Sequence, residues 1–202
     1  MKFRAIMILV LVVIFGSSTQ AQFTGQLTPA PTITKGTMQG TANVGLYDGS
    51  ISLLGHLRYG IGGYTDLGLR GGFVDFSEGR SDESALLLGG DIKYQVLELR
   101  IRDPLDLSVG GMTETMLGTP GDYITVGGSV IGSYPVKLNS GKNLTPYGRL
   151  LLRLTWIEGG GDDFDPAFTA GANFELGRTT SLSAEFQFDD PFGFLVGINF
   201  GL

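Results

Sequence analysis

The chain has no cysteine, so neither disulfides nor thiolate metal sites nor thiol catalysis can contribute to it. It has a single histidine, His56, and a single tryptophan, Trp156. Charged residues make up only 17% of it, with a net charge of −6 and no basic cluster, which excludes a nucleic-acid partner. No stretch approaches the 18–20 uninterrupted apolar residues of a transmembrane helix. Helical-period hydrophobic patterning is missing too.

What the chain has instead is glycine, 33 residues of it, spread without a collagen-like period. Together with abundant Thr, Leu, Val and Phe this composition points to β-structure with tight turns and close backbone contacts. The first residues form a targeting segment. Lys2 and Arg4 precede the apolar run from Ala5 to Phe15, and small residues end at Ala21. Residues 1–21 therefore read as a secretory signal peptide, predicted to be cut after Ala21, its apolar run being too short to span a bilayer. Residues 22–35 (QFTGQLTPAPTITK) carry Pro29 and Pro31 and no periodicity, and read as a flexible tail.

From Gly36 onward one pattern recurs. Met38, Gly40, Ala42, Val44 and Leu46 alternate with Gln39, Thr41, Asn43 and Gly45, and Asp48-Gly49 then signals a hairpin turn. The same alternation follows at Ile51–Tyr59, Leu67–Phe73, Leu86–Gln95, Leu105–Met112, Ile124–Val130, Arg149–Trp156, Phe168–Glu175 and Leu182–Phe188. The last stretch, Phe192–Leu202, alternates in the same way up to the final residue. About ten strands of roughly ten residues each, joined as consecutive hairpins, are the figures of a transmembrane β-barrel. The fold class expected is all-β: one antiparallel up-and-down transmembrane barrel over residues 36–202, with the lipid bilayer as its surroundings.

The polar face carries charge at mid-strand: Arg58, Arg70, Lys93, Arg149, Arg153, Asp66, Asp91, Glu175 and Glu185. Lipid holds such groups poorly, so this face should line the lumen. If the first strand runs outward, Tyr59, Tyr94, Tyr134 and Phe200 fall near one membrane interface. Phe73, Trp156, Phe168, Phe188 and Phe192 then fall near the other, giving two aromatic girdles. A soluble β-sandwich also alternates, but has no reason to keep such girdles.

The region from Gly36 to Leu202 resembles small bacterial outer-membrane β-barrel proteins of the porin-like superfamily. Segments such as LRYGIGGYTDLGLRGGF (Leu57 to Phe73) look like their hairpins, and Gly197, Phe200 and Leu202 match the spacing of their C-terminal assembly signal. Leu195 departs from that signal's polar position, and Leu202 stands where Phe is more usual. The resemblance implies insertion into the outer membrane of a Gram-negative-type bacterium by the barrel-assembly machinery acting on the last strand.

Three functions are open to such a barrel. The leading one is structural, a small barrel with a lumen mostly filled by paired side chains that stabilises the membrane. The alternative is a narrow channel for small solutes or hydrophobic molecules, which abundant inward glycine would permit. A lipid-modifying or proteolytic enzyme comes last. No catalytic, cofactor or metal residues are assigned and no cofactor is expected. His56 faces the lumen beside Arg58 without an evident Ser–His–acid set. The acidic stretch Glu158–Pro166 (EGGGDDFDP) reads as a solvated loop, because it lacks the ligand spacing of a Ca²⁺ loop.

Overall fold

The computed structural model describes residues 26–76, 83–99, 103–118, 122–157, 161–189 and 192–202. Residues 1–25, with the predicted signal segment 1–21, and residues 77–82, 100–102, 119–121, 158–160 and 190–191 lie outside the described residues.

Alternating side chains make each stretch a strand. The elements are β1 (Met38–Tyr47), β2 (Ser50–Gly60), β3 (Thr65–Phe76), β4 (Glu83–Leu97), β5 (Asp106–Gly118), β6 (Tyr123–Ser133), β7 (Val136–Lys137), β8 (Asn143–Ile157), β9 (Asp162–Glu175), β10 (Thr180–Phe188) and β11 (Gly193–Gly201). Each long strand pairs antiparallel with its neighbours in sequence, β6 pairs with β8, and β11 pairs with β1. The ten long strands thereby close into a barrel without free edges, in up-and-down order, and β7 is a two-residue addition paired to β8. The hairpin at residues 48–49 turns on Gly49, whose φ of 77° suits glycine and gives the two-residue loop the twist of its strands.

The two faces of the sheet are inverted relative to a soluble domain. Leu53, Leu69, Phe73, Leu150 and Leu152 on the outside are each more than half exposed. Arg149, Arg153, Glu114, Glu185, Asp66 and Lys93 on the inside are all at most 2% exposed. A continuous apolar exterior around a charged interior is stable only where the exterior meets hydrocarbon. Tyr59, Tyr94 and Tyr134 are exposed near the end that holds Gly36 and Leu202, here the terminal end. Phe73, Trp156, Phe188 and Phe192 are exposed toward the opposite, far end, where the rings of Phe188 and Phe192 meet edge to face at 5.7 Å. Phe168 is exposed as well and stacks on Phe188 at 5.7 Å, the residue it faces across the strand pair.

Two expectations need correction. Residues 26–33 are no free tail. Leu27 and Ala30 are 2% and 0% exposed, because the segment runs up into the lumen from the terminal end and finds hydrogen-bond partners for its backbone there. The acidic loop is also shorter than expected. β9 begins at Asp162, so Asp162 to Pro166 continue the sheet, and Asp165 turns inward opposite Arg153. The carboxylate gains a cation across the strand pair, which favours strand over loop.

Candidate functional site: a filled lumen

Among the described residues the barrel interior concentrates the polar chemistry. Five cations (Arg58, Arg70, Lys93, Arg149, Arg153) and the anions Asp66, Asp106, Glu114, Asp165 and Glu185 are buried in it, with Asp91 and Asp189 as further ion-pair partners. Their balance matters, because an unpaired charge in a dry lumen is costly.

In the far half the wall itself does the filling. Arg70 of β3 pairs with Glu114 of β5, and the Tyr123 hydroxyl donates to the other carboxylate oxygen of Glu114 at 2.9 Å. Arg153 reaches Asp189 at 2.5 Å, and the hydroxyls of Thr125 and Thr155 meet at 2.9 Å. Around these groups Tyr47, Leu54, Val74, Ala85, Leu87, Met116, Tyr123 and Leu195 form an apolar cluster inside the barrel. Inward glycines make room for it. The Tyr47 ring lies where side chains at Gly45 and Gly193 would be, and the Tyr147 ring lies over Gly171. At these glycines the missing side chain leaves room for a tyrosine ring, from the same strand at Gly45 and from the adjoining strand at Gly193.

In the terminal half the wall supplies charge and hydrogen-bonding groups around a hollow. Arg58 bridges Asp66 and Asp91, the latter at 2.7 Å, and Lys93 stands 3.6 Å from Asp66. The sequence expectation that Arg58, Asp66, Asp91 and Lys93 meet on neighbouring strands holds. His56 joins them, with Nε2 3.3 Å from Asp91 Oδ1 and 3.5 Å from Arg58 Nη2. Its acid partner thus also holds a guanidinium, and the ring is a member of the ion-pair network.

The hollow is occupied by the N-terminal segment. Lys93 Nζ donates to the carbonyls of Pro29 and Pro31, both at 2.9 Å, and to Thr28 Oγ1 at 3.2 Å. Backbone N–H groups of the segment donate to wall side chains: Leu27 to Glu185, Ala30 to Ser133, Thr32 to Gln95 and Ile33 to Asp66, at 3.1–3.2 Å. Ser108 Oγ donates to the Ala30 carbonyl at 2.5 Å. Leu27, at the tip, joins the apolar cluster of the far half.

Opposite the segment the wall is lined by amides and hydroxyls. Thr41 donates to Asn199 at 2.6 Å, Asn199 to Ser183 at 2.7 Å, and Asn173 to Ser181 and Ser183 at 2.8 Å. Tyr147 donates to Glu185 at 2.7 Å, and Glu175 accepts from Asn143. Between this wall and the segment a cavity of about 670 Å³ opens at the terminal mouth, beside Thr32, Ile33, Glu175, Arg178 and Ser181.

Glu114 and the three inward tyrosines went unread in the sequence. Glu114 lies past the Gly110-Gly111 pair where the alternation of β5 becomes hard to follow, and inward tyrosines look like girdle residues until the register is known.

No family model matches the chain, and no curated protein matches it. Among solved structures it is similar to a bacterial polysaccharide outer-membrane secretin, with a TM-score of 0.50 at 10% identity over 76% of this chain and 57% of that one. It is also similar to an outer-membrane channel from Pseudomonas putida F1 (TM-score 0.44, 13% identity, 91% and 100% covered) and to a de novo designed transmembrane β-barrel (TM-score 0.41, 16% identity, 85% and 99% covered). The fold is that of the outer-membrane β-barrels. Such distant likeness speaks for the barrel's fold alone, so what this barrel does must be argued from its own interior.

Proposed function

We propose that this protein is an exported outer-membrane barrel with a structural, membrane-stabilising role and a closed lumen. The observation that carries the reading is the burial of paired side chains in the far half and of residues 26–28 and Ala30 in the terminal half of the interior. A barrel of eight strands is just filled by side chains, and aqueous channels belong to barrels near ~16 strands, so ten strands need only a modest extra filler. The apolar belt supports a bilayer as the partner. Cleavage after Ala21 and recognition of the last strand by the assembly machinery complete the reading, with the start of β1 and the end of β11 toward the periplasm. His56 is engaged by Asp91 and Arg58, which favours a structural over an enzymatic part for it.

Planar-bilayer recording of the full chain tests this. We expect no steady conductance, together with a detergent-folded form that migrates differently when heated. Loss of the protein should make the envelope leakier to detergents and large antibiotics. The alternative, a narrow channel, draws on the cavity at the terminal mouth. A steady conductance that changes on Arg149→Ala or Arg153→Ala would establish that alternative and overturn the closed barrel.

A further inference from the structure

The contacts that hold residues 26–33 are of an unusual kind for a piece of the same chain. The wall reads the segment's backbone and little of its side chains. Lys93 takes the carbonyls of Pro29 and Pro31, about the bend at Ala30-Pro31. Glu185, Ser133, Gln95 and Asp66 accept the N–H groups of Leu27, Ala30, Thr32 and Ile33, and Ser108 donates to the Ala30 carbonyl. Pro29 and Pro31 have no N–H to leave unpaired in this buried setting, and their fixed φ restricts the chain before binding, which lowers the entropy lost on docking. The side-chain demands are few: an apolar tip at Leu27 and a small residue at Ala30.

Wall groups on β3, β4, β5, β6 and β10 thus converge on the backbone of residues 27–33, which joins the barrel wall through residues 34–37. There the link is exposed, with Thr34 and Lys35 at the surface of the terminal mouth. The cavity of about 670 Å³ beside the segment gives an entering chain room to pass.

We propose that the terminal half of the lumen is a binding site for a peptide of the pattern apolar–x–Pro–small–Pro, entering from the terminal end, and that the chain's own residues 26–33 are its resident ligand in cis. The site discriminates by shape and by missing donors. A peptide with a branched residue at the Ala30 position collides with the wall, and one with N–H groups in place of the prolines buries them unpaired. The inference does not depend on whether the barrel conducts.

The test uses the barrel from which residues 22–33 are deleted, refolded in detergent, with heat-modifiable migration as the check on folding. The probe is a fluorescent peptide of residues 26–33, QLTPAPTI. We expect saturable binding to the deletion variant, at least tenfold weaker binding to the full chain, and at least a tenfold loss on Lys93→Met in the deletion background. An Ala30→Leu version of the peptide should lose at least as much.

Should the deletion variant fail to fold, the full chain with a specific protease site in place of residues 34–37 serves, cut after folding. The severed segment should stay with the barrel through gel filtration in detergent and exchange with excess labelled QLTPAPTI. Absence of saturable binding by a folded barrel, equal binding to the full chain, indifference to Lys93→Met, or immediate loss of the severed segment without uptake of the probe would each overturn the proposal.

Discussion

In the far half of the lumen the wall supplies all but one of the filling groups named: Arg70 against Glu114, Tyr123 against the same carboxylate, and an apolar cluster led by Leu87 and Leu195, to which the N-terminal segment adds Leu27. In the terminal half the wall supplies Lys93, Asp66, Gln95 and Ser108, and the filler comes from a separate segment of chain. The first arrangement is fixed once the barrel closes, since its partners sit on paired strands. The second depends on a segment that reaches the wall groups of five strands from outside the sheet. One barrel thus holds two kinds of filling, one made by paired strands and one by a segment that is no part of them.

The comparison breaks most visibly on deletion of residues 22–33. A cysteine placed at Ser108 should pass from protected to freely labelled by a thiol reagent applied at the terminal end. A cysteine at Leu87 should stay far better protected than one at Ser108, because Leu27 is the one residue that the segment adds to the cluster around Leu87. Labelling of both would make the closure single. Next in size is Arg70→Met, which leaves Glu114 buried without its cation and should cost about 3–5 kcal/mol. The double variant Arg70→Met/Glu114→Gln should recover most of that, read from urea unfolding in detergent. A loss that the double variant does not recover would mean that the pair matters through packing instead of charge.

The smallest expected effect separates inward from outward glycine. A methyl at Gly193 would meet the Tyr47 ring, so Gly193→Ala should destabilise by about 1–3 kcal/mol. At Gly55 the nearest atom is 3.8 Å from such a methyl, so Gly55→Ala should stay within about 0.5 kcal/mol. Equal effects at both positions would remove the claim that inward glycines exist to seat rings.

Much of the fold was legible beforehand. A period of two cannot be satisfied by a helix, so the alternation from Met38 to Leu46, repeated down the chain, sets both the strands and the side each residue faces. Neighbouring hairpins bring Arg58 to Asp66 by local pairing, so this part of the lumen was readable too. Residues 26–33 were not. They have no period to read, and their order comes from wall groups on five strands that are remote in sequence. Asp165 was misplaced for a related reason: it is held inward by a position on a neighbouring strand, while its own neighbours Gly161 and Pro166 suggest a turn.

The sequence by itself determined a sheet with one apolar and one charged face, long enough per strand for a bilayer, because side-chain alternation is a property of the local chain. Only the tertiary structure decided what fills the centre. Closing β11 onto β1 sets the width of the lumen and the register across it. That width, together with the register, brings Lys93 to the carbonyls of Pro29 and Pro31 and turns an unpatterned stretch into the occupant of the barrel.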